Sequence, residues 1–165
     1  MHDAGFVVKS IETMPDFDKI YERHNLIVAA EAARVHADWF DEHSEKYHPK
    51  TAELIQRGQK VTDGQLSKAV AGCAALREKV THLMDKNGLD LWLSPPAPGA
   101  APAGLESTGD PVMNLPWTHA GLPTLTLPAG KNKAGLPLGL QLAGRWFGDE
   151  AMLSFACQLE PIVKA

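Results

Sequence analysis

The sequence predicts an α/β protein, a β-sheet layered with helices, and three observations carry that expectation. The first half of the chain repeats apolar residues at helical spacing, and the second half alternates them at strand spacing. Gly and Pro then cut the second half into short segments, so strands and helices interleave along the chain. At 165 residues there is enough chain for one domain with a real hydrophobic core, and residues 1–165 are expected to form one.

The elements follow in order. Phe6 to Glu12 (FVVKSIE) is rich in β-branched residues and reads as a short strand closed by Met14-Pro15. A long helix is expected from Asp16 to about His43, with Phe17, Ile20, Ile27, Val28, Val35 and Trp39 as its apolar face. His24 and Glu31 interrupt that face, as interior polar residues with partners or as edge residues. Pro49 opens a second helix, Lys50 to Arg57, which Gly58 ends. A third is capped by Thr62 and Gln65 in a capping box, and runs on Leu66, Ala69, Val70, Cys73, Leu76, Val80, Leu83 and Met84 to a left-handed stop at Asn87-Gly88. Leu89 to Leu93 reads as a strand. From Pro95 to about Pro116 the chain is a Pro/Gly/Ala-rich loop of a length that is usually functional or disordered. Leu122–Leu127 and Leu136–Ala143 alternate as strands, and the turn Gly130-Lys131-Asn132-Lys133-Ala134-Gly135 joins them as an antiparallel hairpin. Asp149 caps a last helix, Glu150 to Glu160.

Composition excludes several classes. With 44% hydrophobic and 22% charged residues the chain is not disordered in type. A net charge of -4 gives no basic field for phosphates, so no nucleic-acid partner is expected. The most apolar helical stretch, Leu26 to Val35, carries Glu31 and Arg34 and is too short to span a bilayer, so no membrane partner is expected. No signal peptide is read at the start, and two distant cysteines, Cys73 and Cys157, suit a reducing compartment. A soluble cytoplasmic protein is the expectation.

Catalytic groups are harder to find. There is no G-x-S-x-G elbow, and Ser94, just before Pro95-Pro96, reads as a turn hydroxyl with no base beside it. His36, His43 and His48 lie seven and five residues apart, matching neither H-x3-H nor HExxH, so they read as a solvated helix end and no metal is expected. No glycine-rich loop precedes a helix, and no cofactor is expected.

The second half carries a recognisable succession. D-L-W-L-S-P-P-A-P-G-A-A-P starts at Asp90, T-G-D-P-V-M-N-L-P-W-T-H-A-G-L-P-T-L-T-L-P-A-G at Thr108, and G-L-P-L-G-L-Q-L-A-G-R-W-F-G-D-E-A-M-L-S-F-A at Gly135. In that order these closely resemble the C-terminal end of the amidase signature family, while the first half resembles it more loosely through Ala30-Glu31-Ala32. The resemblance implies a mixed central β-sheet flanked by helices, the C-terminal part of an αβα fold. It implies cleavage of carbon–nitrogen amide bonds by a serine nucleophile, a bridging serine and a lysine base. Those groups belong to a glycine- and serine-rich signature, and no Gly-Gly-Ser-Ser-Gly-like segment occurs in this sequence. No catalytic residue is therefore assigned. Asn114, Trp117, Thr118 and His119 match the segment that approaches the substrate cleft and are the expected substrate-binding residues. Gly121, Pro123, Gly135, Pro137 and Gly139 are expected to shape turns and close backbone approaches.

The resemblance leaves two functions open. One is part of an amidase, inactive alone, that builds part of the cleft for a small-molecule amide. The other is a non-catalytic module that binds a small amide or a protein on the same scaffold. For the first, an open sheet edge implies self-association or an N-terminal amidase portion as partner, with the edge and the Trp117–Leu122 region as contact and Pro95–Pro116 mobile without it.

Overall fold

The computed structural model describes residues Gly5–Val163. The chain divides into two compact units, Asp16–Ala75 and Leu76 onward together with the segment up to Pro15.

The Asp16–Ala75 unit is helical: α1 (Phe17–Val35), α2 (Ala37–His43), α3 (Pro49–Gly58) and the first half of α4 (Asp63–Asn87). The single long helix expected over Asp16–His43 breaks at His36. The His36 N–H still closes α1 on Ala32 O at 3.0 Å, while its carbonyl accepts from Phe40 N at 2.8 Å to open α2. The break turns Phe40 and Tyr47 onto Ala33 and Ile55, and His36 Nδ1 meets the Tyr47 hydroxyl at 2.9 Å. It also moves the buried face. Val28, Val35 and Trp39 are exposed, and α1 buries Ile20, Ala29, Ala30 and Ala33 instead.

Small residues win on α1 because α3 approaches it closely. A Cβ on Gly58 would lie 1.9 Å from Ala29 O and 2.8 Å from the Ala33 Cβ. Gly58 was expected as a helix stop; it is the last residue of α3 and is glycine for want of space. The capping box of α4 forms as expected: Thr62 N donates to Gln65 Oε1 at 2.9 Å and Gln65 N to Thr62 Oγ1 at 3.3 Å.

In the second unit α4 ends in a Schellman motif. Gly88 has φ +62°, Gly88 N donates to Asp85 O at 3.3 Å and Leu89 N to Met84 O at 2.9 Å. Leu89 is thus consumed by the cap, and the strand expected over Leu89–Leu93 begins late, as β1 (Trp92–Ser94). β2 (Thr124–Lys131) and β3 (Pro137–Ala143) form the expected antiparallel hairpin, and the sheet order is β1-β3-β2, with β1 also antiparallel to β3. Asn132 organises the turn: its Oδ1 accepts from Ala134 N and Leu136 N, each at 2.9 Å.

Phe6–Glu12 is not a strand: it pairs with neither sheet edge, and β-propensity without a ladder partner leaves extended chain. Phe6 packs against the sheet core, and Lys9 Nζ donates to Asn87 O at 2.5 Å, a cation at the C-terminus of α4. The last helix, α6 (Asp149–Val163), starts one turn on Gly148, whose carbonyl accepts from Met152 N at 3.0 Å; Asp149, expected as the cap, is its first residue. Among the described residues no helix is long and apolar enough to cross a membrane.

Two outcomes follow from the helical unit. Gly58→Ala is expected to lower stability by about 1–3 kcal/mol, because backbone stands where the methyl would go; an unchanged urea midpoint would contradict the close α1–α3 approach. Burial lowers the His24 imidazole below its ordinary 6.5. The unfolded chain then takes the proton first, so the contribution of neutral His24 is complete above about pH 6.5 and is lost as pH falls toward the lowered value. The urea midpoint should drop between pH 7.5 and 5.5, and His24→Gln should flatten that drop. Parallel pH profiles for the two proteins would show that His24 has no part in it.

Candidate functional site

The three-stranded sheet has two faces of different chemistry, as period-two alternation requires. On one, Leu127 and Leu142 pack with Met152, Ala156 and Leu159 of α6, with Leu125 and Leu140 beside them. The other face carries Trp92 and Ser94 of β1, Gln141 and Ala143 of β3, and Thr124 and Thr126 of β2, brought into line by the registers Ser94↔Gln141↔Thr126 and Trp92↔Ala143↔Thr124.

Gln141 is the centre of that second face. It is 2% exposed, and both ends of its amide are used. Its Oε1 accepts from Ser94 Oγ at 3.1 Å, and its Nε2 donates to Asn114 Oδ1. The other end of the Asn114 amide, Nδ2, donates to Pro96 O at 2.9 Å. Four residues from β1, β3, the loop after β1 and the approach to the next helix are therefore joined by side-chain amides. Pro96 can reach this face because Gly139 leaves room: a Cβ there would meet Pro96 Cγ at 2.9 Å and Thr126 Cγ2 at 2.6 Å.

The residues expected to bind substrate lie on a short helix, α5 (Leu115–Ala120), and on the residue before it. Asn114 is committed to Gln141 and Pro96, as above. Trp117 is buried and stacks on Trp92 at 6.3 Å between centroids and 29° between planes. His119 is buried, and Thr118 is exposed with its hydroxyl donating to Asn114 O at 3.2 Å. Leu122 is buried too, so within the Trp117–Leu122 segment Thr118 and Gly121 are the exposed residues. Gly121, with φ +68°, closes α5 in the left-handed conformation. Arg77 Nε holds the Ala120 carbonyl at 2.9 Å, while the Arg77 guanidinium lies 3.9 Å over the Trp146 ring.

The loop from Pro95 has no regular structure until the 3₁₀ turn Pro111–Met113, which Asp110 caps through Val112 N at 2.9 Å. Its first turn is fixed to the sheet through Pro96, whereas residues 101–111 are exposed. Of the histidines weighed as ligands, His36 faces Tyr47, His43 Nδ1 lies 3.4 Å from Lys46 Nζ, and His48 Nδ1 accepts from Lys50 N at 3.3 Å. Among the described residues no group of three or more His, Cys, Asp or Glu is placed to hold a metal ion. A shallow depression of about 120 Å³ beside Arg145 and Met152 lies on the α6 side of the sheet, away from Gln141.

Sequence reasoning missed Gln141 and the role of Ser94. The available signal was a lone amide among the leucines of β3, at a position whose neighbours on the same face, Gly139 and Ala143, are small.

The family model described as Amidase matches residues 1–153. The A-subunit of the glutamyl-tRNA(Gln) amidotransferase of Wolinella succinogenes is 42% identical over 50% of this chain and 21% of its own length. Its counterpart from Parvibaculum lavamentivorans is 44% identical over 44% of this chain and 16% of its own length. A crystal structure of an amidase superposes with a TM-score of 0.79 at 31% identity, over 89% of this chain and 36% of that one. A 6-aminohexanoate cyclic dimer hydrolase complexed with substrate shares the fold, with a TM-score of 0.74 at 20% identity over 91% of this chain and 35% of its own. The matches thus span 16% and 21% of those curated relatives and about one third of those structures. With the match running through nearly all of its residues, the chain belongs to the amidase family.

Proposed function

We propose that this chain is the C-terminal portion of an amidase domain, and that it supplies one wall of the cleft in which a carbon–nitrogen amide bond is hydrolysed. The observation that carries the reading is the match to the Amidase family over residues 1–153, joined to a coverage of 36% of the related amidase structure. The chemistry needs an activated nucleophile and donors for the developing oxyanion. Ser94, the serine on the candidate face of the sheet, gives its proton to a neutral amide oxygen rather than to a base. The serine nucleophile, bridging serine and lysine base are therefore supplied by another segment, and this chain alone turns nothing over.

In this reading the segment Asn114, Trp117, Thr118 and His119 forms the wall. Thr118 is exposed and able to meet substrate, while Asn114 and Trp117 act from behind by fixing the loop and the strand that frame it. Among the described residues the outer edges of β1 and β2 are unpaired, which suits an N-terminal amidase portion or a second copy. A small-molecule amide is the substrate, and the cytoplasm is the proposed compartment.

The test is reconstitution. The purified chain is expected to release no amine from aryl or aliphatic amides above buffer. Co-expression with the segment preceding the matched region in the related amidase should restore turnover, and Trp117→Ala should lower that turnover about tenfold or more by misplacing the wall. Hydrolysis by the chain alone that disappears on changing one of its own residues would sink the proposal.

A further inference from the structure

We infer that Ser94 is an acceptor contact for the N–H of an amide substrate, and that Gln141 and Asn114 are positioning residues that fix its polarity. The inference rests on the reading of this sheet face as cleft wall, and it starts from a backbone atom whose role has no alternative. The Pro96 carbonyl can only accept a hydrogen bond. Asn114 lies 2.9 Å from it and must present Nδ2, which turns its Oδ1 toward Gln141. Gln141 must answer with Nε2, which leaves Oε1 for Ser94. Ser94 Oγ, 3.1 Å from Oε1, must then donate its one proton to Gln141. The orientation of both amides and of the hydroxyl is thus set in sequence from one carbonyl, and no member can flip without opposing two acceptors.

The consequence falls on Ser94. A serine hydroxyl has one donor and two lone pairs. With its proton held inward by an amide that is 2% exposed, it shows only lone pairs to whatever approaches. Ser94 is half-buried at the end of β1, where the chain turns into the Pro95-Pro96 loop. A ligand that brings an N–H makes a hydrogen bond there. An ester of the same shape brings an oxygen and meets lone pair with lone pair. A polar group built to pair with a donor discriminates against the isostere that lacks it. Primary and secondary amides therefore fit this subsite, and tertiary amides and esters do not.

The experiment compares N-methylbutyramide with methyl butyrate, which differ at the N–H, by NMR titration of the isotopically labelled full chain. The amide should bind more tightly than the ester by about fivefold or more, the worth of one net hydrogen bond. Ser94→Ala should bring the ratio to about one. Gln141→Leu keeps the Ser94 hydroxyl but frees its proton, so the ratio should fall as well, while Ser94→Thr should retain it. The side-chain amide shifts of Asn114 in every variant, and of Gln141 in the two Ser94 variants, report whether this face still folds. Equal affinities in the parent chain, binding of neither ligand, or a ratio unchanged by Ser94→Ala would overturn the inference. Because the readout is binding, it stands or falls apart from reconstituted turnover: an enzyme that hydrolyses amides with no such preference loses the subsite and keeps the proposed function.

Discussion

A side-chain amide buried in the middle strand of a small sheet has to be satisfied at both ends, or it destabilises the fold by the full cost of its desolvation. Gln141 meets that demand by reaching sideways to Ser94 on β1 and outward to Asn114 before α5. Those two bonds decide where the neighbouring elements go. Asn114 brings its second amide end to Pro96, which fixes the start of the long loop, and α5 follows with Trp117 laid on Trp92. The polar face of the sheet is consequently an ordered surface, and every residue assigned to the cleft hangs from it.

The opposite face shows what that arrangement costs and what balances it. Leu127, Leu142, Met152, Ala156 and Leu159 form an apolar layer with α6, and burial of side chains the size of leucine or methionine contributes roughly 1.5–3 kcal/mol each. A buried polar centre is tolerable because this layer supplies the cohesion. The connection from β3 to α6, Gly144 to Gly148, is pinned by Arg145, which pairs with Asp85 at 2.7 Å and donates to Leu89 O at 3.3 Å. Both Arg145 and Asp85 are substantially exposed, so the pair orients the turn more than it stabilises it.

The helical unit obeys a different constraint. Its close α1–α3 approach selects alanine and glycine where bulk would have been expected, and the helix break at His36 supplies the large side chains, Phe40 and Tyr47, that the interface itself has no room for. Its density comes from backbone proximity, which is why a single methyl at Gly58 is so consequential.

Elements whose signals are local were legible in the sequence. The Thr62–Gln65 box, the Gly88 stop, the Asn132 turn and the alternation of Leu138, Leu140 and Leu142 are set by neighbours within a few residues, and the structure has the helix, cap and hairpin they specify. The family, too, was readable, because ordered motifs from Asp90 to Glu160 survive as a string. What the string could not contain is distance across the fold. That Phe6–Glu12 finds no ladder partner, that Val28 and Trp39 face out, and that Ser94, Gln141, Asn114 and Pro96 converge were decided only by packing. The physical reason is that a hydrogen-bond relay has no sequence period: its bonded members are 18, 27 and 47 residues apart, and only the sheet register and the room left by Gly139 bring them together.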